Sequence, residues 1–374
     1  MGNLNIPSVD VSTFSEIVKA QFNEKNFRPI FGLGKGGIGK TESIKDLASE
    51  LKIGYIDIRL LLYTETDLKG IPYPNAEHTR TVWLQNNILP IVDRDGETGI
   101  LVFDEITSCP KSVRTAAYQL LNERRLGEYT LPDGWMIVCL GNGEEDGGDY
   151  QGMEGNFVNR CSVFNVVATV DSWKNWANKH NVNSLVTSYV SFRPQDLHSY
   201  TEDSETEMLF ASPRSWYAVS NILNLNGFNE NNIVLNSRIS ANIGTNIGAR
   251  FIAFCKYQHG TVDPYEIINN GLKPQIGQQE ILYITIGSVV KIVGDQVRSD
   301  LETMNGSIQS TTLTKLANAI NWFITLSKEN AVMGIKDLIS YDTNNIRRVL
   351  LIPEFLQMCP ELTRFATENR EIFS

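Results

Sequence analysis

Short apolar segments alternate with amphipathic segments over the first 170 residues of this chain. Apolar residues between Val113 and Leu121 recur with helical spacing, and Pro110 precedes them, which predicts a helix. Other apolar runs have the length and composition of buried strands. These runs are residues 29–31, 53–58, 100–103, 136–140 and 163–167. Because alternating strands and helices are typical of a parallel sheet, we predict an α/β domain. Residues 126–134 predict a β-hairpin or a long turn, with Asp133-Gly134 as its tight element.

The later part of the chain lacks the strand pattern and shows helical periodicity. Trp173, Trp176 and Ala177 share one face of a predicted helix, and further amphipathic helices are predicted near residues 313–323 and 346–351. We therefore predict three domains. They are an α/β core over residues 1–170, a helical lid over residues 171–270 and a C-terminal helical extension over residues 271–374.

Charge and hydrophobicity narrow the function classes. The 374 residues include 33 Lys and Arg against 43 Asp and Glu, which gives a formal net charge of −10. This acidic balance argues against a protein that coats nucleic acid, although it leaves room for a local basic channel. No apolar run approaches the roughly 18 residues that span a bilayer, and the N-terminus lacks the pattern of a secretory signal. We expect neither a membrane span nor secretion.

The cysteines and histidines predict neither a zinc site nor a disulfide framework. The five cysteines are odd in number, far apart and never spaced as Cys-x-x-Cys, and none of the four histidines has metal-ligand spacing. We therefore expect reduced thiols and a cytoplasmic location.

Residues 34–41 match the phosphate-binding pattern G-x-x-x-x-G-K-[ST], between a predicted strand and a predicted helix. Glycines let backbone N–H groups converge on phosphate oxygens, and the helix N-terminus adds a partial positive charge. Lys40 is expected to reach the β- and γ-phosphates, and the Thr41 hydroxyl to bind Mg²⁺. The predicted nucleotide-binding residues are Gly34, Gly36, Gly37, Ile38, Gly39, Lys40, Thr41 and Glu42.

Two carboxylates follow the predicted strand 100–103. Parallel α/β sheets bind ligands at the carboxyl ends of their strands, where Asp104 and Glu105 emerge. Asp104 is expected to hold Mg²⁺, and Glu105 to activate the attacking water as general base. Together with the loop at residues 34–41, this pair predicts binding and hydrolysis of a nucleoside triphosphate.

A second family shares the first motif. Residues 35–41, with the early Lys35, resemble the variant phosphate loop of MinD and ParA-type ATPases, in which the early lysine reaches the partner's nucleotide across a dimer. Those proteins do not place an Asp-Glu pair at the end of the third strand, so Asp104 and Glu105 count against this alternative.

Several segments together resemble the MoxR branch of the AAA+ ATPases. They are residues 57–59, 67–72, 101–106, 120–125 and 131–134. The resemblance covers residues 28–260 and is strongest in the first 170. It implies a core with strand order 5-1-4-3-2, a helical lid and assembly into a ring, usually a hexamer.

The resemblance also implies three further site residues. Asn142 matches the sensor-1 residue that orients the water, although Asn-Gly is also a common turn. Arg160 matches an arginine finger acting on the neighbouring subunit, although Cys161 replaces the family's aromatic residue and an exposed arginine is commonly only solvated. Arg214 matches sensor 2, although Ser212-Pro213 would also serve as an ordinary helix start.

The expected function is therefore ATP-driven remodelling of a protein client by a ring. The resemblance suggests partners that contain a von Willebrand factor A domain, and it favours ATP over GTP, which the motifs alone do not distinguish. Tyr63 and Tyr73 are candidates for client contacts in a central pore, or they pack against the core. Two alternatives remain: a nucleic-acid-directed motor on the same core, and a slow nucleotide-gated scaffold.

Overall fold

The computed structural model describes residues 6–25, 27–84, 86–143, 159–200, 209–303 and 307–369. These residues form two compact units, and the second begins at Val170. The first unit is built on a parallel sheet, and the second contains the helices from residue 170 onward. The fold class predicted from the sequence, an α/β core followed by a helical part, is confirmed.

Six parallel strands form the sheet of the first unit. Its strands are β1 (Ser8–Asp10), β2 (Ile30–Leu33), β3 (Gly54–Arg59), β6 (Thr98–Asp104), β9 (Gly134–Gly141) and β10 (Ser162–Val167). Their spatial order is β1-β10-β2-β9-β6-β3. Counted by the five predicted strands, this order is 5-1-4-3-2, with β1 as an additional edge strand. The carboxyl ends of β2, β3, β6 and β9 therefore lie along one edge of the sheet.

Helices cover both faces of this sheet. The helices of the first unit are α1 (Val11–Asn23), α2 (Lys40–Leu51), α3 (Glu65–Lys69), α4 (Val92–Asp95) and α5 (Lys111–Glu123). One apolar cluster joins Phe14 of α1 and Ile44 of α2 to the sheet, and a second joins α5 to the opposite face. Gly32 permits the first packing, because a Cβ there would lie 2.7 Å from the Phe14 ring.

Two small antiparallel ribbons are attached to the core. One pairs β4 (Ile71–Pro74) with β5 (Thr81–Leu84), and the other pairs β7 (Arg125–Leu126) with β8 (Tyr129–Thr130). In the second ribbon the tight turn lies at Gly127, which has φ +61°, so the prediction that Asp133-Gly134 makes the turn is wrong. Apolar side chains are exposed on the first ribbon, including Tyr73, whereas Tyr63 packs partly against the core.

The regular secondary structure in the described residues of the second unit is helical, and loops join the helices. Its helices are α6 (Val170–Lys179), α7 (Ser184–Phe192), α8 (Pro213–Asn226), α9 (Ile233–Ile243), α10 (Thr245–Cys255), α11 (Pro264–Asn270), α12 (Gln279–Thr303), α13 (Ser310–Phe323), α14 (Lys328–Tyr341), α15 (Thr343–Leu350), α16 (Pro353–Met358) and α17 (Leu362–Glu368). The boundary predicted near residue 270 stays a prediction. Among the described residues, none of the helices combines the length and apolar content needed to cross a bilayer.

Helix α12 lies close to two neighbours at two of its glycines. A Cβ on Gly287 would lie 2.1 Å from the Ser188 hydroxyl of α7, and one on Gly294 would lie 2.5 Å from the Tyr341 ring of α14. Glycine at both positions therefore lets α7 and α14 approach the same helix.

A buried ion pair joins α6 to α14. Lys174 and Asp337 form a salt bridge and hydrogen bond, with side chains only 7% and 16% exposed. Burial raises the pKa of Asp337, although the neighbouring Lys174 opposes that shift. Nearby, Asn178 of α6 donates to the Ser340 hydroxyl of α14 at 2.6 Å. These polar contacts therefore bind the first helix of this unit to a helix far along the chain, since 163 residues separate Lys174 from Asp337.

Candidate nucleotide-binding site

The loop between β2 and α2 has a backbone shape that depends on glycine. Gly34 has φ +157°, and a Cβ there would lie 2.1 Å from the Val166 carbonyl of β10. Gly37 and Gly39 have φ +76° and +97°, and Gly39 is the N-cap of α2. At Gly36, a Cβ would meet no atom within 4 Å. The loop thus leads into the N-terminus of α2, where the partial positive charge of the helix dipole favours an anion.

Lys40 lies against this loop. Its ammonium donates hydrogen bonds to the Gly34 carbonyl at 2.5 Å and to the Lys35 carbonyl at 2.9 Å, and the residue is only 7% exposed. These contacts hold a positive charge beside the N-terminus of α2. The structure therefore places the predicted phosphate-binding lysine at the loop. The Glu42 side chain is exposed on α2, where it forms an ion pair with Lys45 at 3.6 Å.

The Thr41 hydroxyl donates to the Asp104 carboxylate at 2.8 Å, which joins the two sequence motifs in space. The other oxygen of Asp104 accepts from the Glu105 amide at 2.9 Å, so both carboxylate oxygens are oriented. Asp104 ends β6 and is only 9% exposed. A hydroxyl and a carboxylate are oxygen ligands of the kind that Mg²⁺ prefers, and the donor set therefore fits this ion.

The described residues show no all-protein metal cage. No group of three or more His, Cys, Asp or Glu side chains within them could hold a metal ion. Mg²⁺ does not need such a group, because it commonly takes one or two protein oxygens and completes its shell with water and phosphate.

Glu105 begins the turn after β6 with an unusual backbone. Its φ is +57°, a left-handed conformation that costs a residue with a side chain roughly 1–2 kcal/mol. Its carboxylate lies 3.8 Å from Nε of Arg59, whose strand β3 pairs with β6 so that Arg59 is opposite Asp104. Both side chains are partly exposed, so the ion pair is weak. A pair this weak breaks at little cost, so it does not fix the Glu105 carboxylate on the β3 side.

Arg59 and Asp57 were not predicted as site residues. Both lie on β3, two residues apart, and so share one face of the sheet. Burial raises the pKa of Asp57, and the negative charge of Asp104 raises it further, whereas Arg59 lowers it. The alternation Asp-x-Arg at a strand end was the available signal, because parallel strands bring their carboxyl ends together.

Asn142 directly follows β9, the strand next to β6. Its backbone N–H donates to the Thr107 hydroxyl at 3.1 Å. The backbone N–H of Ile106 donates to the Leu140 carbonyl, also at 3.1 Å. Asn142 is therefore attached to the turn that begins at Glu105. The structure brings Lys40, Thr41, Asp104, Glu105 and Asn142 to one edge of the sheet.

Arg160 is exposed two residues before the start of β10. Arg28 holds this position by donating to the carbonyls of Asn159 and Cys161, at 2.8 and 3.2 Å. Cys161 is 5% exposed and packs into the core, where burial raises the pKa of its thiol to about 12. The cysteine thus takes a core position, and Arg160 beside it faces outward.

Arg214 belongs to the second unit. It lies in the first turn of α8, exposed, behind the N-cap Ser212, whose hydroxyl accepts from the Ser215 amide at 3.3 Å. The capping box accounts for the helix start without Arg214. The sensor-2 role of Arg214 therefore stays a prediction.

Comparison with known proteins does not identify the function of this chain. No protein-family model matches the chain, and no curated protein matches it significantly. A candidate ATPase from Cytophaga hutchinsonii has 14% identity and a TM-score of 0.33, over 95% of this chain and 90% of that one. The RuvB Holliday junction branch migration motor of Thermotoga maritima has 13% identity and a TM-score of 0.34, over 83% of this chain and 80% of that one.

A third similar structure is Hsp104 with ATPγS and FITC casein. It has 14% identity and a TM-score of 0.37, over 67% of this chain and 44% of that one. All three TM-scores lie below 0.5, so the function has to be inferred from the site's own residues.

Proposed function

We propose that this chain is an AAA+ ATPase similar to the MoxR branch, which binds ATP with Mg²⁺ and hydrolyses it. The hydrogen bond between Thr41 and Asp104 supports this most directly, because it joins a phosphate-loop hydroxyl to a carboxylate 63 residues later. The strand order supports the same class, since β9 lies between the phosphate-loop strand β2 and the Asp104 strand β6.

Each residue then has a distinct chemical role. The first N–H groups of α2 and the Lys40 ammonium bind phosphate oxygens. Thr41 and Asp104 would hold Mg²⁺, which neutralises phosphate charge when bound. Glu105 accepts a proton from the attacking water, and Asn142 donates a hydrogen bond that orients this water. Glu42 is exposed on α2, so we assign it to the edge of the nucleotide site and not to the chemistry.

We expect Lys40→Ala to weaken ATP binding by roughly 10- to 100-fold, because it removes a charged hydrogen-bond donor from the phosphates. Calorimetric titration of both proteins with ATP and Mg²⁺ measures the change. The matched control is Lys35→Ala, which should keep near-native ATP affinity. It retains the backbone carbonyl of residue 35, which accepts a hydrogen bond from the Lys40 ammonium. Native affinity for Lys40→Ala would contradict the proposal.

The same control separates the two families that share this loop. An AAA+ ATPase should hydrolyse ATP normally after Lys35→Ala. A MinD- or ParA-type enzyme should lose turnover, because its early lysine acts across the dimer. Steady-state phosphate release by the Lys35→Ala protein distinguishes the two outcomes.

We infer that the chain works as a ring, with Arg160 acting on the neighbour's nucleotide and Arg214 reporting nucleotide state to the lid. The exposure of Arg160 supports a role between subunits. Arg160→Ala should lower turnover by at least about tenfold, as loss of a charged contact does. Mixing it with Lys40→Ala subunits should restore part of the activity. No recovery, in mixed rings verified by mass spectrometry, would exclude action in trans.

The proposed client is a protein, with a von Willebrand factor A domain as the candidate partner and the cytoplasm as the location. The net charge of −10 favours a protein client over nucleic acid. Turnover measured with and without duplex and single-stranded DNA tests this assignment. Strong, salt-sensitive stimulation by DNA would instead favour the nucleic-acid motor.

A further inference from the structure

The turn after Glu105 is attached to the end of β9 by two hydrogen bonds of different kinds. The bond from the Ile106 amide to the Leu140 carbonyl joins two backbone groups, so it does not depend on either side chain. The bond from the backbone N–H of Asn142 depends on the side chain at position 107, because its acceptor is the Thr107 hydroxyl at 3.1 Å. Position 107 therefore decides whether the second attachment forms.

Thr107 fits its surroundings closely. It is 0% exposed, and a Cβ on Gly141 would lie 2.7 Å from both its hydroxyl and its methyl group. The side chain can occupy this place only because residue 141 is glycine. A valine at 107 would fill the same space but would offer no acceptor to the partly buried backbone N–H of Asn142.

The hydrogen bond between Thr107 and Asn142 lies next to two residues of the proposed catalytic site. Thr107 lies two residues after Glu105, and Asn142 is the residue that its hydroxyl holds. In the proposed function Glu105 and Asn142 act on the same water molecule, and a displacement of about 1 Å of such groups lowers catalytic rates. A contact between the two segments fixes the relative placement of these residues.

We propose that Thr107 is a positioning residue that holds Asn142 in register with Glu105. This inference rests on the proposed ATPase function. Thr107 contacts Asn142 through its hydroxyl and has no direct part in the chemistry. The alternative is that Thr107 only fills space in the core, in which case its hydroxyl is dispensable.

The test compares Thr107→Val, which removes the hydroxyl and keeps the shape, with Thr107→Ser, which keeps the hydroxyl. Amide hydrogen exchange of Asn142, measured without nucleotide, reports the hydrogen bond. We expect Thr107→Val to speed this exchange and to lower kcat, each by roughly tenfold, with the KM for ATP changed less than about twofold. Thr107→Ser should restore both quantities. If Thr107→Val does not fold, Thr107→Ala is measured in its place, with the same expected result.

A double variant provides an independent check. Combining Thr107→Val with Asn142→Ala should slow turnover no further than Asn142→Ala alone, because Thr107 acts through Asn142. Unchanged exchange in Thr107→Val, or additive losses in the double variant, would overturn the inference. Faster exchange with native kcat would overturn the positioning role alone, whereas a native chain that does not hydrolyse ATP would overturn the proposed function as well.

Discussion

Glu105→Gln is expected to lower ATP turnover by about 10²- to 10⁴-fold, the usual contribution of a general base, while ATP binding stays near native. Glutamine keeps the size of the side chain but cannot accept a proton from water. The phosphate contacts at Lys40 and the Thr41–Asp104 contact do not involve the Glu105 carboxylate, so affinity should be retained. Phosphate release and calorimetric ATP binding measure the two quantities. The variant should also accumulate ATP-bound rings.

The control is Glu128→Gln, because Glu128 is exposed in the turn of the β7–β8 ribbon. It should turn over ATP at the native rate. Normal hydrolysis by Glu105→Gln would show that another group is the base. If hydrolysis is blocked as expected, the partners captured by the trapped Glu105→Gln ring would identify the class of client.

Lys174→Met is expected to lower the free energy of unfolding by about 3–5 kcal/mol, since it leaves the buried Asp337 carboxylate without its partner. The side chains of this pair are only 7% and 16% exposed, so water cannot replace the lost ammonium. Urea denaturation followed by tryptophan fluorescence measures the change.

The adjacent pair on the same two helices supplies a matched control. Lys336 and Asp171 also join α14 to α6, at 2.9 Å, but their side chains are 48% and 71% exposed. Lys336→Met should therefore cost no more than about 1 kcal/mol. Adding Asp337→Leu to Lys174→Met should recover much of the lost stability, because it removes the unpaired charge. Equal effects of Lys174→Met and Lys336→Met would contradict this account.

The central strands β6 and β9 could be predicted because their apolar runs are uninterrupted, from Ile100 to Phe103 and from Met136 to Leu140. Strands buried on both faces need apolar residues at every position, and such runs are visible without tertiary information. The structure extends them only at their ends, as from residues 100–103 to Thr98–Asp104. β1 escaped prediction because it has three residues and only Val9 among them is apolar. It becomes a strand by pairing with β10, a contact that sequence periodicity does not express.

The β4–β5 ribbon was missed for a related reason. Pro72 and Pro74 argue against a strand, since proline cannot donate to a ladder. An isolated two-stranded ribbon tolerates them because one side of each strand has no partner. At the site, the phosphate loop was predictable from local chemistry. Arg59 and Thr107 were not predicted, because their contacts with Glu105 and Asn142 depend on which strands lie side by side.

Two positions of the phosphate loop, Gly34 and Gly36, are glycine for different reasons. At Gly34, the Val166 carbonyl leaves no room for any side chain, so the fold itself forbids replacement. At Gly36, the space around a Cβ is open and the backbone lies outside the left-handed region, so the fold permits replacement. In descendants that had lost nucleotide binding, residue 34 would remain glycine while residue 36 drifted. Glycine at residue 36 would thus indicate that nucleotide binding is still selected, whereas glycine at residue 34 would not.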